Sequence, residues 1–394
     1  MKTIRLSIPI NAVDGYLYFG KLFLVLKDGT LVSYDWEKIV DRFVATRRES
    51  EVVIRLGFSR NDWYQNQQMK VVSKMPNWQK LFRNMWGSIS KSDNILELNE
   101  IQQTKYLELN ELPVFDVKAY GRRLFIASRA GIQEILLEIN EYKNNVKIVY
   151  NERVFHHKVI SLTAKYGELL LSADQQGLFS GTLWMTDNKP VDINKDKPIE
   201  GRSLRSEWAN HNLVNYESPC HFSYLKNESE HVKERRGYKY SNIDESSEKI
   251  RITNFGVQKY TSASLFTEKK HRDNLLKYAF NSNNSLFMIL SNNKFYVAQF
   301  LHSKDKDNIY LSQRVKELSS IRKTQQPLSS FLVPNGCIIE YFDSVDLYIG
   351  GDSIEITRNP IYTMKTFLQS KRHKNMFIYF DDHGVHIHSI FPYL

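Results

Sequence analysis

Two stretches of the chain match at a fixed offset, and that offset restricts the fold more than any single motif does. Val114-Phe115-Asp116-Val117-Lys118-Ala119-Tyr120-Gly121, followed by Leu124-Phe125-Ile126-Ala127 and Gly131, aligns with a second stretch. The second is Ile160-Ser161-Leu162-Thr163-Ala164-Lys165-Tyr166-Gly167, followed by Leu169-Leu170-Leu171 and Gly177. Gly121 to Gly167 and Gly131 to Gly177 are both 46 positions. A period of about 40 to 50 residues marks repeat architectures, in which one unit cannot bury its apolar surface without the next.

The unit recurs more loosely along the chain. Leu22-Phe23-Leu24-Val25-Leu26 precedes Asp28-Gly29, Leu286-Phe287-Met288-Ile289-Leu290 precedes Asn292-Asn293, Leu347-Tyr348-Ile349 precedes Gly350-Gly351-Asp352, and Met376-Phe377-Ile378-Tyr379-Phe380 precedes Asp381-Asp382-His383-Gly384. Short apolar runs with β-branched and aromatic members between turn residues read as strands buried on both faces. Hairpin-linked sheets buried on both faces must stack on other sheets.

The six copies together resemble a β-propeller of the WD-repeat kind. No Trp-Asp dipeptide occurs, and the single Gly350-Gly351 pair does not repeat as a kelch signature would. The resemblance implies an all-β fold, one propeller domain over residues 1–394, with six or seven four-stranded blades. Two β-sandwiches are the competing architecture. The last strand, Gly384 to Phe391, has no fourth strand behind it, and residues 2–10 form a strand with no hairpin partner. Thr3 to Ile8 is therefore expected to pair with Val385 to Phe391 and close the ring, which removes a sheet edge.

Two stretches break the rhythm. Residues 60–88 carry Trp63, Trp78, Leu81, Phe82, Met85 and Trp86, with Trp78, Leu81, Phe82 and Met85 at the i, i+3, i+4, i+7 spacing of an amphipathic helix. This helical insertion either packs its apolar face on the ring or docks a partner through Trp78, Phe82 and Trp86. Residues 225–250 are polar and read as a long loop in a degenerate fourth blade.

Composition bounds the function classes. With 42% apolar residues the chain of 394 is not disordered. Two cysteines, Cys220 and Cys337, exclude a disulfide framework or a four-thiolate zinc site. With no signal-peptide pattern and no run of about 18 apolar residues, a cytoplasmic protein without membrane contact is expected. No Walker-type loop or Gly-x-Ser-x-Gly elbow is present, and no cofactor is expected. Ser172-Ala173-Asp174-Gln175-Gln176-Gly177 with Thr182 and Trp184 resembles the Asp-box turn of sialidase propellers, with an extra residue before the glycine and a longer gap after it. Such a turn is structural.

Asp381, Asp382, His383, His386 and His388 form the densest ligand-like cluster. The strand period of two places His386 and His388 on one face, where with Asp382 they would suit a divalent metal, against a reading of packed histidines. Cys220-His221 and His156-His157 are adjacent pairs, and on an extended chain neighbours point to opposite sides.

Net charge is +10. Using the repeat as a ruler, turns between first and second strands collect Lys21, Arg122, Arg123, Lys165, Lys371, Arg372 and Lys374, opposed by Asp343 and Asp346. Turns between second and third strands collect Asp28, Asp174, Asp352, Asp381 and Asp382. One basic face is expected, suited to an acidic protein or to nucleic-acid phosphates. The run His231 to Tyr240 is basic and aromatic, but flanking acids nearly cancel it. The leading expectation is a non-enzymatic scaffold or adaptor that binds protein partners in a multi-subunit assembly, with bacterial antiviral defence as an analogy from the Lys, Asn and Ile-rich composition. A nucleic-acid-binding subunit and a hydrolase or lyase with its site in the central channel are the alternatives.

Overall fold

The computed structural model describes residues 3–59, 67–109, 111–140, 145–183, 188–235, 246–260, 275–302, 309–312, 316–320 and 324–391. They form seven antiparallel sheets, the blades of a β-propeller. Blade 1 takes strands Ala12–Tyr18, Lys21–Leu26, Thr30–Asp35 and Gln103–Glu108, and blade 2 takes Val114–Tyr120, Arg123–Ser128, Gly131–Asn140 and Asn145–Phe155. Blade 3 takes Ser161–Lys165, Glu168–Ser172, Leu178–Thr182 and Asp192–Ile193, and blade 4 takes Arg205–Ala209, Asn212–Tyr216, Phe222–Arg235 and Ser246–Tyr260. Blade 5 has Leu276–Ser282, Ser285–Leu290 and Lys294–His302, with Ile309–Leu311 and Lys316–Ser320 both pairing with its third strand. Blade 6 has Ser329–Val333, Gly336–Glu340, Val345–Ile349 and Asp352–Thr357. Blade 7 has Thr363–Thr366, Met376–Asp381, Gly384–Ile390 and, as its outer strand, Thr3–Ile8.

Blade number is thus seven, and one blade has five strands instead of four. Contacts divide the chain into two compact units. Unit 1, Met1–Leu112, Ile139–Val146 and Pro327–Leu394, holds blades 1, 6 and 7. Unit 2, Pro113–Glu138 and Lys147–Gln326, holds blades 3 to 5 and most of blade 2.

The 46-residue spacing is a physical contact between neighbouring blades. A side-chain oxygen of Asp116 accepts the backbone N–H of Leu162 at 2.8 Å, 46 residues on, and Gly167 N–H donates to the Tyr120 hydroxyl at 3.1 Å. The first strand of blade 3 would otherwise leave backbone donors on its free edge, and a carboxylate from the preceding blade satisfies one. The repeated Gly131 and Gly177 have φ of +124° and +98°. A Cβ at Gly131 would lie 1.8 Å from the Phe155 carbonyl oxygen, and one at Gly177 would lie 2.2 Å from that of Ile199. At both places the chain following the second strand passes directly beneath an outer strand or the segment leading on from it, so glycine is required twice over.

The expected closure is present. Thr3 pairs with Ile390 and the ladder runs without a break to Ile8 opposite Val385. Ile4, Leu6 and Ile8 are buried, as the strand period requires. The outer edge of this strand is itself covered: Ser7 N–H donates to Asn94 O and Leu96 N–H to Ser7 O.

The helical insertion is larger than the sequence suggested and starts earlier. It separates the third and fourth strands of blade 1 and comprises α1 (Trp36–Thr46), α2 (Glu51–Ile54), α3 (Gln67–Ser73) and α4 (Pro76–Ile89). Asp35 ends the strand and caps α1 through its carboxylate, which accepts Lys38 N–H at 3.2 Å. Trp36, Ile39, Val40 and Phe43 repeat the helical spacing and are all buried. The signal was legible; it follows a strand with no proline or glycine between. Trp63 lies outside the described residues.

Two further expectations are corrected. The polar segment 225–250 is, in its described parts, not a loop but paired strand: the ladder from Phe222 opposite Tyr260 continues to Arg235 opposite Ser246. Polar composition argues against burial, whereas backbone pairing in a hairpin needs no apolar face. In blade 6 the run Leu347 to Ile349 belongs to the third strand, not the second. Asp343 therefore sits in the second-to-third turn with the other acids, Asp346 is buried in the third strand, and Asp352 opens the fourth. Two successive buried strands, Gly336–Glu340 and Val345–Ile349, look alike in sequence, which shifted the frame by one strand.

Gly131→Ala should destabilise the fold by more than about 1 kcal/mol, since both its φ and the contact with the Phe155 carbonyl forbid a Cβ. A lower urea midpoint with unchanged slope checks this.

Candidate interaction surface on the hairpin tips

In six blades the first and second strands are joined by two-residue turns, bounded by the pairs Tyr18 with Lys21, Tyr120 with Arg123, Lys165 with Glu168, Ala209 with Asn212, Ser282 with Ser285, and Val333 with Gly336. Such turns need left-handed residues, for which Gly and Asn are the cheap choices. Asn210, Asn283 and Asn335 fill this need with φ of 55°, 47° and 60°. Tyr166 and Phe19 fill it with bulky rings at φ of 54° and 47°.

Around Tyr166, unit 2 assembles an aromatic and cationic cluster. Tyr166 is 41% exposed. Its ring lies 4.7 Å from that of exposed His211, and the buried Trp208 meets it edge-on at 5.7 Å and 90°. The Lys165 ammonium stands 4.6 Å from the ring centre. Arg122, exposed and itself at φ 60°, occupies the neighbouring tip of blade 2. In unit 1, Phe19 packs on Tyr18 at 4.4 Å. Lys371, Arg372 and Lys374 are exposed on the long turn of blade 7.

Two of the seven expected basic residues are not surface charges. Arg123 is fully buried, with its Nε 2.6 Å from a Glu134 carboxylate that is also fully buried. Tyr150 OH donates to the same carboxylate at 2.6 Å, and Arg123 donates to Lys189 O at 2.9 Å. Lys21 is 12% exposed and paired with Asp35 at 3.2 Å. The first residue after the tip points along the blade and must be neutralised there.

The apolar face of the insertion also turns inward. Phe82 and Trp86 are buried, and Phe391 contacts both rings at 5.7 and 5.3 Å. Trp78 is half-buried and stacks on Phe82 at 6.1 Å. Phe82 and Trp86 therefore serve packing, and Trp78 keeps part of its surface exposed.

The histidine cluster is a packed set of rings. His386 Nδ1 lies 2.9 Å from Ser7 Oγ and its Nε2 2.9 Å from Asp381 Oδ1. His388 Nδ1 lies 3.1 Å from Thr3 Oγ1, and its ring stacks on Phe377 at 4.6 Å. Asp382 faces elsewhere: Lys27 at 2.8 Å and Tyr362 bond to it and hold its carboxyl below the usual range. Among the described residues no group of three or more His, Cys, Asp and Glu is placed to hold a metal ion. Burial lowers the titration of His386, and it lowers that of His388 further.

Cys220 and His221 depart from expectation in the other direction. The chain is not extended there, and Cys220 Sγ lies 3.3 Å from His221 Nδ1.

No family model matches the chain, and no curated protein matches it. Among solved structures it is similar to PorZ, a bacterial surface component of the type-IX secretion system of Porphyromonas gingivalis, with TM-score 0.47 and 10% identity over 99% of this chain and 39% of that one. It is similar to the computationally designed Ika8 protein, with TM-score 0.46 and 7% identity over 99% of this chain and 100% of that one. It is also similar to the extracellular domain of a hybrid two-component system of B. thetaiotaomicron, with TM-score 0.47 and 10% identity over 98% of this chain and 43% of that one. The chain spans about two fifths of the length of the first and third of these.

Arg123→Ala should act on stability, at a cost of about 3 to 5 kcal/mol, because it strands a buried carboxylate; chemical denaturation measures this. His386 and His388 should make stability depend on pH. Their folded-state values lie below the ordinary 6.5, so the unfolded chain takes up protons first as pH falls. Their contribution is complete above 6.5 and is lost progressively below it. Melting curves should show a falling midpoint between about pH 7 and 5, flattened in His388→Gln.

Proposed function

We propose that this propeller is a non-enzymatic interaction platform, an adaptor within a multi-subunit assembly, and that it holds an acidic protein partner on the tips of blades 2 to 4. The observation that carries this reading is Tyr166. A bulky residue in the left-handed region costs roughly 1 to 2 kcal/mol, and the equivalent turns of blades 4, 5 and 6 use Asn. Retained strain at an exposed position points to a use outside the fold.

The chemistry of the cluster supports such a partner. A rigid ring backed by Trp208 offers large contact area with little conformational entropy to lose, and Lys165 and Arg122 add positive charge at the rim. Both cysteines are free thiols, which fits a reducing compartment such as the cytoplasm. No helix among the described residues is long and apolar enough to cross a membrane.

A second reading rests on blade 7. Lys371, Arg372 and Lys374 are exposed and carry no ion pair among the described residues, as a phosphate-binding turn would require. Reversing all three to Glu should weaken a salt-sensitive shift of DNA or RNA mobility; absence of any shift at low salt rejects this reading.

For the leading reading, tagged wild-type protein and Tyr166→Asn should be compared in quantitative pull-downs from the native host. Tyr166→Asn should keep or raise the melting midpoint while losing the partner, and Lys165→Glu with Arg122→Glu should lose it in a salt-dependent way. Equal recovery by all forms would reject the proposal.

A further inference from the structure

The second-to-third-strand turn of blade 4 brings three reactive side chains together. Glu217 and Ser218 N–H both donate to His221 O, which curls the segment around Pro219. This puts Cys220 Sγ 3.3 Å from His221 Nδ1 and 3.6 Å from Ser218 Oγ, with Ser218 Oγ 3.0 Å from the same ring nitrogen. The Ser218 oxygen accepts the backbone N–H groups of Cys220 and His221 at 3.3 and 3.0 Å. Its own proton is then free to point at the sulfur or the ring. The neighbouring carboxylate, Glu217, is engaged by Ser223 Oγ at 2.6 Å. Cys220 is half-buried with one side on the blade 4 and 5 core, and His221 is exposed.

From this geometry we propose that Cys220 is a site of reversible S-thiolation, reacting with low-molecular-weight disulfides with His221 as its proton acceptor. The imidazole takes the thiol proton, and imidazolium N–H and Ser218 O–H then both donate to the thiolate. The sulfur electron pair attacks one sulfur of the disulfide. A Cys220 S–S bond forms as the original S–S bond breaks, and the departing thiolate leaves with the bonding pair and collects the imidazolium proton. Cys220 is oxidised to a mixed disulfide and the departing half is reduced to a thiol, so no other oxidant is needed. Cys337 is an internal contrast: it is buried in blade 6, where burial pushes its thiol up to about 12.

The test uses the full chain and 5,5′-dithiobis(2-nitrobenzoate) at pH 7. One thiol per chain should react, located at Cys220 by peptide mass. Cys220→Ser should remove the reaction and Cys337→Ser should preserve it. In the Cys337→Ser background, the native chain should react faster than the same chain unfolded in urea, and His221→Asn should slow it roughly threefold or more. Ser218→Ala, which leaves the imidazole in place, should slow it less. A native rate no higher than the unfolded one, or a rate indifferent to His221→Asn in a chain whose melting curve is unchanged, overturns the proposal.

Discussion

The ladder between Thr3–Ile8 and Gly384–Ile390 is the interaction on which unit 1 depends. Strands buried on both faces cannot end in an open edge without exposing backbone donors and acceptors, so the last blade needs a strand that the C-terminal hairpins do not contain. Supplying it from the N-terminus joins residues more than 370 positions apart. The same pairing explains the histidines. His386 and His388 stand opposite Ser7 and Arg5, and their rings fill the space between the two sheet segments and the aromatic side chains of Phe377 and Tyr379. A group chosen for shape and hydrogen bonding at a closure point resembles a ligand set only when the partner strand is unknown.

The helical insertion follows from the same need. The segment after α4 lays Asn94 to Leu96 along the outside of the closing strand, and Ser389 Oγ donates to Gly57 O at 2.7 Å. The insertion, which in the chain interrupts blade 1, is therefore the cover of blade 7. Its aromatic residues pack inward because the edge they protect offers an apolar neighbour in Phe391.

How much was legible depended on whether one residue pattern had one structural outcome. The 46-residue offset was readable because blades 2 and 3 both join their first two strands by a two-residue turn, and Asp116 meets Leu162 and Tyr120 meets Gly167 across the blades. The frame of blade 6 was not, because the second and third strands both carry a short apolar run, Cys337 to Ile339 and Leu347 to Ile349, with the turn Tyr341 to Ser344 between them. Arg122 and Arg123 are adjacent in sequence and opposite in fate, one in the turn and one in the ladder. That difference is set by hairpin register, which composition does not report. For Cys220 and His221 the assumption of extended chain failed, although Pro219 was the available sign of a turn. Tyr166 was visible only as a residue flanking a glycine; its strain requires a backbone dihedral.

The hairpin tip at His211 and the thiol turn at Cys220 lie at the two ends of one strand, Asn212–Tyr216. Five residues of strand separate them by roughly 17 Å. Four of the five are buried, and Tyr216 OH is further tied to Asn281 Oδ1 at 2.9 Å. Communication between two sites requires an element with two arrangements that each site biases differently. A buried, doubly paired strand has one arrangement at any reasonable cost, since a one-residue slip would turn its whole apolar set to the wrong face. The strand Asn212–Tyr216 therefore offers no second arrangement through which a change at one end would bias the other.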